Sequence, residues 1–451
     1  MTLNFSNFNL PKTLASALSD KLNISQPTPI QEKCFSPILS GKDIMGIAQT
    51  GTGKTLAYLL PILKEYKYSA SNQPKILILV PTRELVVQVS EVLEKLTEDM
   101  NIRVLGVYGG VNINTQKLLV YEGVDILVGT PGRVMDLAID NVLHFKDLKK
   151  LVIDEFDEML SLGFKTQLTN IFTMMNEKRQ NILFSATITD QIDEMLNEYF
   201  KNPMEISLVH PGTPLEKIAQ SAIPVINFNT KLNLLIHLLR TKNDLEKILI
   251  FANNKKHVDL IYTKLEEEFP GEFGVIHSNK SQNFRLKTMA DFSQNLLRGI
   301  VTTDIMARGL DIPDVSHVFN FEIPESSEQY IHRIGRTGRA DKNGNTISFF
   351  TPKEETLILD IELLMDKEIP KEDFPEEEVI ISLVKIASEK EIVKMKNSNV
   401  LKPIERGEAF HDKKAKNKKV NLGGPSKRKP PKKYGANRNQ QKQKAKRNKK
   451  R

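Results

Sequence analysis

Short, largely apolar runs recur along the first two hundred residues, with stretches of helical period between or after them. Residues 43–48, 76–80, 104–107, 124–128, 151–153 and 182–184 are too short for stable helices and apolar at both odd and even positions. That pattern predicts strands covered on both faces. Segments 84–96, 165–176 and 189–200 carry the helical period, so the region reads as a parallel α/β sheet. His210-Pro211-Gly212-Thr213-Pro214 interrupts the series, and a second one begins near Val225, with strands predicted at 247–251, 274–277, 299–303, 317–320 and 346–350. Two α/β domains follow, 1–209 and 225–368, joined by a linker over 210–224 and separated by a cleft able to open and close. Residues 354–366 read as a helix and 371–378 as an acidic, proline-containing connection. An amphipathic stretch follows at about 376–396, within an extension spanning 369–410 whose docking the pattern does not decide.

Charge divides the chain unevenly. Residues 411–451 hold 18 Lys or Arg against a single acidic residue, Asp412, so 17 of the positive charges are uncompensated there while the chain as a whole carries +8. The preceding 410 residues are therefore mildly acidic. Tyr434 is the only aromatic in that tail, and too little apolar surface is present to offset the entropy of ordering it. A disordered basic tail is expected, attracted to a polyanion by counterion release; a membrane surface would call for apolar anchors that the tail lacks. Cys34 has no second cysteine to pair with, and no apolar stretch reaches 18 residues. A cytoplasmic protein is expected, neither secreted nor spanning a membrane.

The most informative local feature is Ala48-Gln49-Thr50-Gly51-Thr52-Gly53-Lys54-Thr55, between a predicted strand and a predicted helix. Closely spaced glycines ending in Gly-Lys-Thr wrap backbone N–H groups around phosphates at a helix N-terminus. Lys54 would reach the terminal phosphates and the Thr55 hydroxyl would hold Mg²⁺. Ala48 stands where the general phosphate-loop pattern has glycine. Asp154-Glu155-Phe156-Asp157 follows the apolar run 151–153, so its carboxylates emerge at a strand's C-terminal end, where open parallel sheets bind ligands. Asp154 is suited to the Mg²⁺ shell and Glu155 to orienting or deprotonating water, although acidic residues also favour a first helical turn for purely structural reasons. Arg336 and Arg339, in His332-Arg333-Ile334-Gly335-Arg336-Thr337-Gly338-Arg339, have the spacing to reach phosphate oxygens from one turn. Read alone, this basic turn is equally a surface feature or an ion-pair donor.

Over roughly residues 5–350 the ordered set of motifs resembles the DEAD-box family of ATP-dependent RNA helicases, in helicase superfamily 2. The resemblance implies two tandem RecA-like domains, ATP and Mg²⁺ as cofactors, and single-stranded or short duplex RNA or ribonucleoprotein as partners. It implies adenine recognition by Phe5 and by Pro27 to Gln31, with Gln31 reading the base edge, and it makes Ala48 the family's own form of the loop. Arg83, Gly110, Thr130 and Arg133 match first-domain RNA motifs. Gln282, Arg285, Thr303 and Arg308 match second-domain ones, and Asp311 lies near the ribose. Asp157, Ser185, Thr187 and His332 fall in the motifs that couple hydrolysis to strand separation, and Arg336 and Arg339 correspond to arginine fingers. Phe156 departs from the family's alanine, and its ring needs room in the core. Two other readings remain open at this point: a DNA-translocating member of the superfamily, which DNA would stimulate as well as RNA does, and an annealing module indifferent to ATP.

Overall fold

A computed structural model describes residues 4–48, 51–68, 70–208, 218–242, 244–304, 315–338 and 343–389. The tail at 411–451 and the linker residues 210–217 lie outside them, as do Gln49, Thr50, Arg308, Asp311 and Arg339 among the expected site residues.

The first domain is built on β1 (Ile44–Ile47), β2 (Ile76–Leu79), β3 (Val104–Val107), β4 (Ile126–Gly129), β5 (Lys150–Ile153), β6 (Gln180–Ser185) and β7 (Met204–Ser207), in the spatial order β3-β4-β2-β5-β6-β1-β7. Each ladder in this sheet is parallel. The strand period of two separates the side chains into two cores. Ile44, Ile76, Ile78, Ile126, Val128, Val152, Ile182 and Phe184 join one apolar cluster, while Met45, Leu77, Leu79, Leu127, Leu151, Ile153 and Leu183 join the other. Helices cover both faces, as an all-parallel sheet requires. Gly46 is dictated by packing, since a Cβ there would lie 2.4 Å from the Phe184 ring.

The second domain repeats the plan with β8 (Ile218–Pro224), β9 (Ile248–Phe251), β10 (Phe273–Ile276), β11 (Gly299–Thr302), β12 (His317–Asn320) and β13 (Gly344–Phe350), in the order β10-β11-β9-β12-β13-β8. The chain enters this sheet earlier than its pattern indicates, because β8 lies inside the segment expected to be linker and pairs with β13 along its whole length. Ile-Ala-Gln-Ser-Ala-Ile-Pro is only weakly apolar, and its edge position in the sheet tolerates the missing N–H of Pro224.

The extension, whose docking the pattern left open, packs on the second domain over its described residues. Residues 376–389 form no helix and run over the second domain, with Val379 buried and Phe374 and Ile386 against the same core as β9 and β13. Three asparagines take up its carbonyls: Asn227 donates to Ser382 O at 2.5 Å, Asn229 to Val384 O at 2.7 Å and Asn233 to Ile380 O at 2.8 Å. Backbone groups held this way have tertiary partners in place of a helical ladder.

Candidate active site at the seam between the sheets

β5, β6 and β1 are neighbours, so the acidic motif, Ser185-Ala186-Thr187 and the phosphate loop all leave the sheet at adjacent C-terminal strand ends. The loop ends in Gly53, whose φ of +88° suits glycine, and Lys54 opens the helix Lys54–Lys64. A Cβ on Gly53 would lie 2.5 Å from Gln31 Nε2. That amide donates to Gly53 O at 3.1 Å, while Gln31 Oε1 accepts the Thr28 N–H at 3.0 Å at the start of the helix Pro29–Leu39. The residue expected to read adenine is thus also the brace between that helix and the phosphate loop. Phe5 sits edge-on to Phe8 with ring centroids 5.5 Å apart, and Phe8 stacks on Phe35 of the same helix.

Lys54 is buried with Nζ 3.9 Å from Asp154 Oδ1 and makes no hydrogen bond. Asp154 accepts the Tyr58 hydroxyl at 3.2 Å and the Glu155 N–H at 3.0 Å. Burial pushes the Asp154 carboxyl above its ordinary range, against the opposing charge of Lys54. Glu155 adopts a left-handed backbone at φ +54°, a conformation that costs a non-glycine residue about 1–2 kcal/mol and persists where the surroundings enforce it. Its Oε2 is buried without a partner, and burial raises its pKa to about 7 despite the charges of Lys54 and Arg336. Phe156 points away from this chemistry. Its ring is fully buried in the apolar cluster that includes Ile153, Met159, Leu183, Ile192 and Met195, so the bulkier residue is housed in the core.

Asp157 closes the site toward the second domain. One of its oxygens accepts Ala186 N–H at 3.2 Å, Thr187 N–H at 3.2 Å and the Thr187 hydroxyl at 3.1 Å, and Ser185 Oγ donates to Thr187 O at 2.7 Å. From the helix Ser327–Ile334 of the second domain, His332 reaches the same oxygen at 3.3 Å through Nε2 and Glu158 at 2.6 Å through Nδ1. These are ion-pair distances without well-aligned N–H directions. Burial disfavours the imidazolium, but the adjacent Glu158 and Asp157 overcome it and raise the His332 pKa to about 10. Burial likewise disfavours the Asp157 carboxylate, and the close contact and charge of His332 turn that into a net depression. Arg336 is buried, donates from Nε to His332 O at 3.2 Å, and is close enough for its charge to act on Glu155.

A second group of residues meets across the seam. Arg83 starts the helix Arg83–Thr97, capped by Thr82, and Gly110 makes space for it: a Cβ there would lie 2.0 Å from Arg83 Nη1. Thr130 precedes the helix Pro131–Ile139, where Arg133 donates to Gln116 Oε1 at 2.5 Å and to Val111 O at 3.0 Å. Gln282 and Arg285, on the helix Gln282–Ser293, both bond to Glu84 Oε1 of the first domain, Gln282 at 3.1 Å. Burial lowers the Arg83 pKa, and the charges of Arg285 and Arg133 add to that, so cations of both domains converge here. Arg133 Nε and Arg285 Nε are left without hydrogen bonds, buried donors with which an anion could pair; Gln282 Oε1, an acceptor, is unpartnered as well. Thr303 lies just beyond β11 and lines a cavity of about 330 Å³ together with Asn253, Asn254, Lys255, Ser278, Asp304, Glu325 and Gln329.

Glu84, Glu158 and Arg333 were not singled out by the sequence reading. Arg333 is fully buried, pairs with Asp304 through two nitrogens, one of them at 2.7 Å to Oδ2, and donates to Asn253 Oδ1 at 2.9 Å and Glu322 O at 2.6 Å. The sequence signal was available, since Arg333 adjoins His332, but its pairing depends on strands distant in the chain.

Paired parallel sheets that bring a phosphate loop, a carboxylate pair and a buried arginine to one seam define a two-domain phosphate-loop nucleoside triphosphatase. Similarity gives the family. The description DEAD/DEAH box helicase matches residues 28–195, and Helicase conserved C-terminal domain matches residues 230–341. The ATP-dependent RNA helicase CshA of Listeria monocytogenes is 36% identical over 387 residues, covering 86% of this chain and 74% of that protein. The ATP-dependent RNA helicase DeaD of Buchnera aphidicola is 36% identical over 378 residues, 82% of this chain, which spans 62% of that longer protein. Saccharomyces cerevisiae Dbp5 bound to RNA and ADP BeF3 superimposes with a TM-score of 0.74 at 28% identity, covering 82% of this chain and 95% of Dbp5. The chain belongs to the DEAD-box helicase family.

Proposed function

We propose that the chain is a cytoplasmic, RNA-stimulated ATP hydrolase that separates short RNA duplexes locally and remodels ribonucleoprotein. The observation that carries this reading is the pair of buried, hydrogen-bond-deficient atoms Lys54 Nζ and Glu155 Oε2 at a seam that His332 and Arg336 of the other domain complete. A phosphate chain fits the group: Gly53 and Lys54 supply a donor cradle at a helix start, and Lys54 has a charge to spend. Bound ATP and Mg²⁺ supply the transferable phosphoryl group and neutralise its charge, with Thr55 and Asp154 holding the metal.

Within that frame Glu155 orients the attacking water and takes its proton, a role its raised pKa suits. Arg336 lends charge stabilisation only when the domains are apposed, and Arg339 is proposed to act beside it. Phe5 and Gln31 are assigned to adenine recognition, and Asp311 is proposed to contact the ribose. Asp157, Thr187, Ser185 and His332 transmit closure, because one carboxylate oxygen ties the acidic motif, the β6 end and the second domain together. Arg83, Gly110, Thr130, Arg133, Gln282, Arg285, Thr303 and Arg308 hold phosphates of a strand lying across both domains, so RNA capture favours the closed seam. The related helicases' names and the Dbp5 complex with RNA support this assignment.

The test is ATP turnover against equal lengths of single-stranded RNA and DNA, with a short RNA duplex to follow strand separation. RNA is expected to stimulate much more than DNA, and Lys54→Ala to abolish both turnover and unwinding. Equal stimulation by DNA, or ATP-independent strand exchange unaffected by Lys54→Ala, would refute the reading.

A further inference from the structure

A turn at residues 387–389 of the extension is tied to the cleft by a continuous set of side chains. Glu389 accepts the Phe228 N–H at 2.6 Å, at the start of the helix Phe228–Thr241, and the Ile386 N–H at 3.1 Å. Beside it, Ser388 Oγ lies 3.0 Å from His257 Nε2, and His257 Nδ1 lies 2.7 Å from Glu322 Oε1. The other oxygen of Glu322 accepts the Asn253 N–H at 2.9 Å. Asn253 and Asn254 form the loop between β9 and the helix Lys255–Glu268, and they line the same cavity as Thr303.

We propose that residues 379–389 are a strap of the second domain which, through Ser388, His257 and Glu322, positions the Asn253–Asn254 loop for strand binding. The proposal rests on the strand-binding reading of the Thr303 cavity given above. His257 is the positioning residue at its centre. Its backbone N–H bonds to the Asn254 side chain at 3.0 Å, and its ring lies against Phe228 with centroids 5.0 Å apart. Nδ1 can donate to Glu322 whether the ring is neutral or charged, leaving Nε2 to accept from or donate to the Ser388 hydroxyl. Both oxygens of Glu322 are thereby engaged, one by the strap side and one by the cleft side, so the carboxylate cannot rotate without releasing the loop. Burial disfavours the Glu322 carboxylate, and the His257 contact and the Asn253 N–H reverse that and hold it ionised.

Asn253 is held on its other sides too. Its side chain donates to Ile323 O at 2.8 Å and accepts from Arg333 at 2.9 Å, and Arg333 clamps Asp304 next to Thr303. The strap therefore acts on a loop that is otherwise fixed from the seam side alone. Ser382, Val384 and Ile380, bonded to the three asparagines, and Glu389, bonded to the Phe228 N–H, hold the strap in place, so a change at Ser388 removes its contact with His257 without detaching the whole.

The experiment uses the full chain and measures the single-stranded RNA concentration that half-saturates ATPase stimulation, with saturated kcat, the ATP KM and the melting temperature alongside. Loss of a charge-assisted hydrogen bond on this path predicts that His257→Phe raises the half-saturating RNA about tenfold. The same variant leaves kcat and the ATP KM within about twofold, since no group at the nucleotide is touched. Ser388→Ala gives a smaller rise in the same quantity, and the double variant is no worse than His257→Phe because both act on one path. His257→Gln, which keeps a donor toward Glu322, recovers most of the loss. The inference is overturned if His257→Phe alters melting alone and leaves the half-saturating RNA unchanged while the unmodified protein is stimulated normally, or if the two single effects multiply. No stimulation of the unmodified protein by RNA would instead overturn the helicase reading, and the inference with it.

Discussion

Two buried cations face the seam from opposite domains in opposite states. Lys54, at the start of the first domain's phosphate-loop helix, has a carboxylate 3.9 Å away and no hydrogen bond. Arg333, in the second domain's helix Ser327–Ile334, is bonded to Asp304, Asn320, Asn253 and the Glu322 carbonyl. An isolated buried charge is costly, so a cation left short of partners marks where a ligand supplies them, whereas a fully engaged one is scaffold. Arg333 thus anchors the helix that carries His332 and the turn that carries Arg336, while Lys54 and Glu155 in the first domain leave Nζ and Oε2 unsatisfied. The two cations divide the labour: the Lys54 end is poised for a ligand and the Arg333 end is scaffold.

The largest effects should come from the poised side. Glu155→Gln is expected to lower RNA-stimulated turnover by about 10²–10⁴-fold, the usual worth of a positioned general base, while nucleotide binding persists; single-turnover hydrolysis and fluorescent-nucleotide titration measure the two. On the lending side, Arg336→Ala should cost about 10³-fold in stimulated kcat at saturating RNA, within the range for arginine fingers. Phe156→Ala separates packing from chemistry. Removing a fully buried ring should destabilise the first domain by about 3 kcal/mol, read by denaturant unfolding, with the charged groups of the motif left in place. Gly110→Ala puts a methyl group against the Arg83 guanidinium at a left-handed position, and should raise the half-saturating RNA about tenfold with little change in the ATP KM.

The smallest effect tests the contact between the two sides. The His332 pKa is raised to about 10 in the closed form, so its contribution to closure is complete below the ordinary histidine value and is lost as pH rises through the raised one. Half-saturating RNA should therefore climb a few-fold between about pH 7 and 10 in the unmodified protein and climb less in His332→Gln. An identical pH profile for the two proteins would show that the Asp157–Glu158–His332 contact does not govern closure.

Much of this was legible along the chain. Six strands of the first sheet, at Ile44–Ile47, Ile76–Leu79, Val104–Val107, Ile126–Gly129, Lys150–Ile153 and Gln180–Ser185, coincide with predicted runs to within two residues, because strands inside an all-parallel sheet are apolar at successive positions. The helices Arg83–Thr97, Lys165–Met174 and Asp190–Tyr199 follow the helical period in the same way. β8 was read as linker because an edge strand with serine, glutamine and proline lacks that signal. The strap was not legible either: its backbone is held by asparagine side chains of a helix about 150 residues earlier, and no local pattern encodes such a partner.

The sequence by itself determined the repeated sheets, the phosphate loop and the acidic motif, since these depend on local period, on glycine's backbone freedom and on side chains that share one strand end. Tertiary structure alone decided which charges would be satisfied. Glu84 meets Arg285, Asp157 meets His332 and Ser388 meets His257 only after strands remote in sequence have paired. Whether a buried ion becomes scaffold or binding site depends on the partners within a few ångströms, and that distance is a property of the fold.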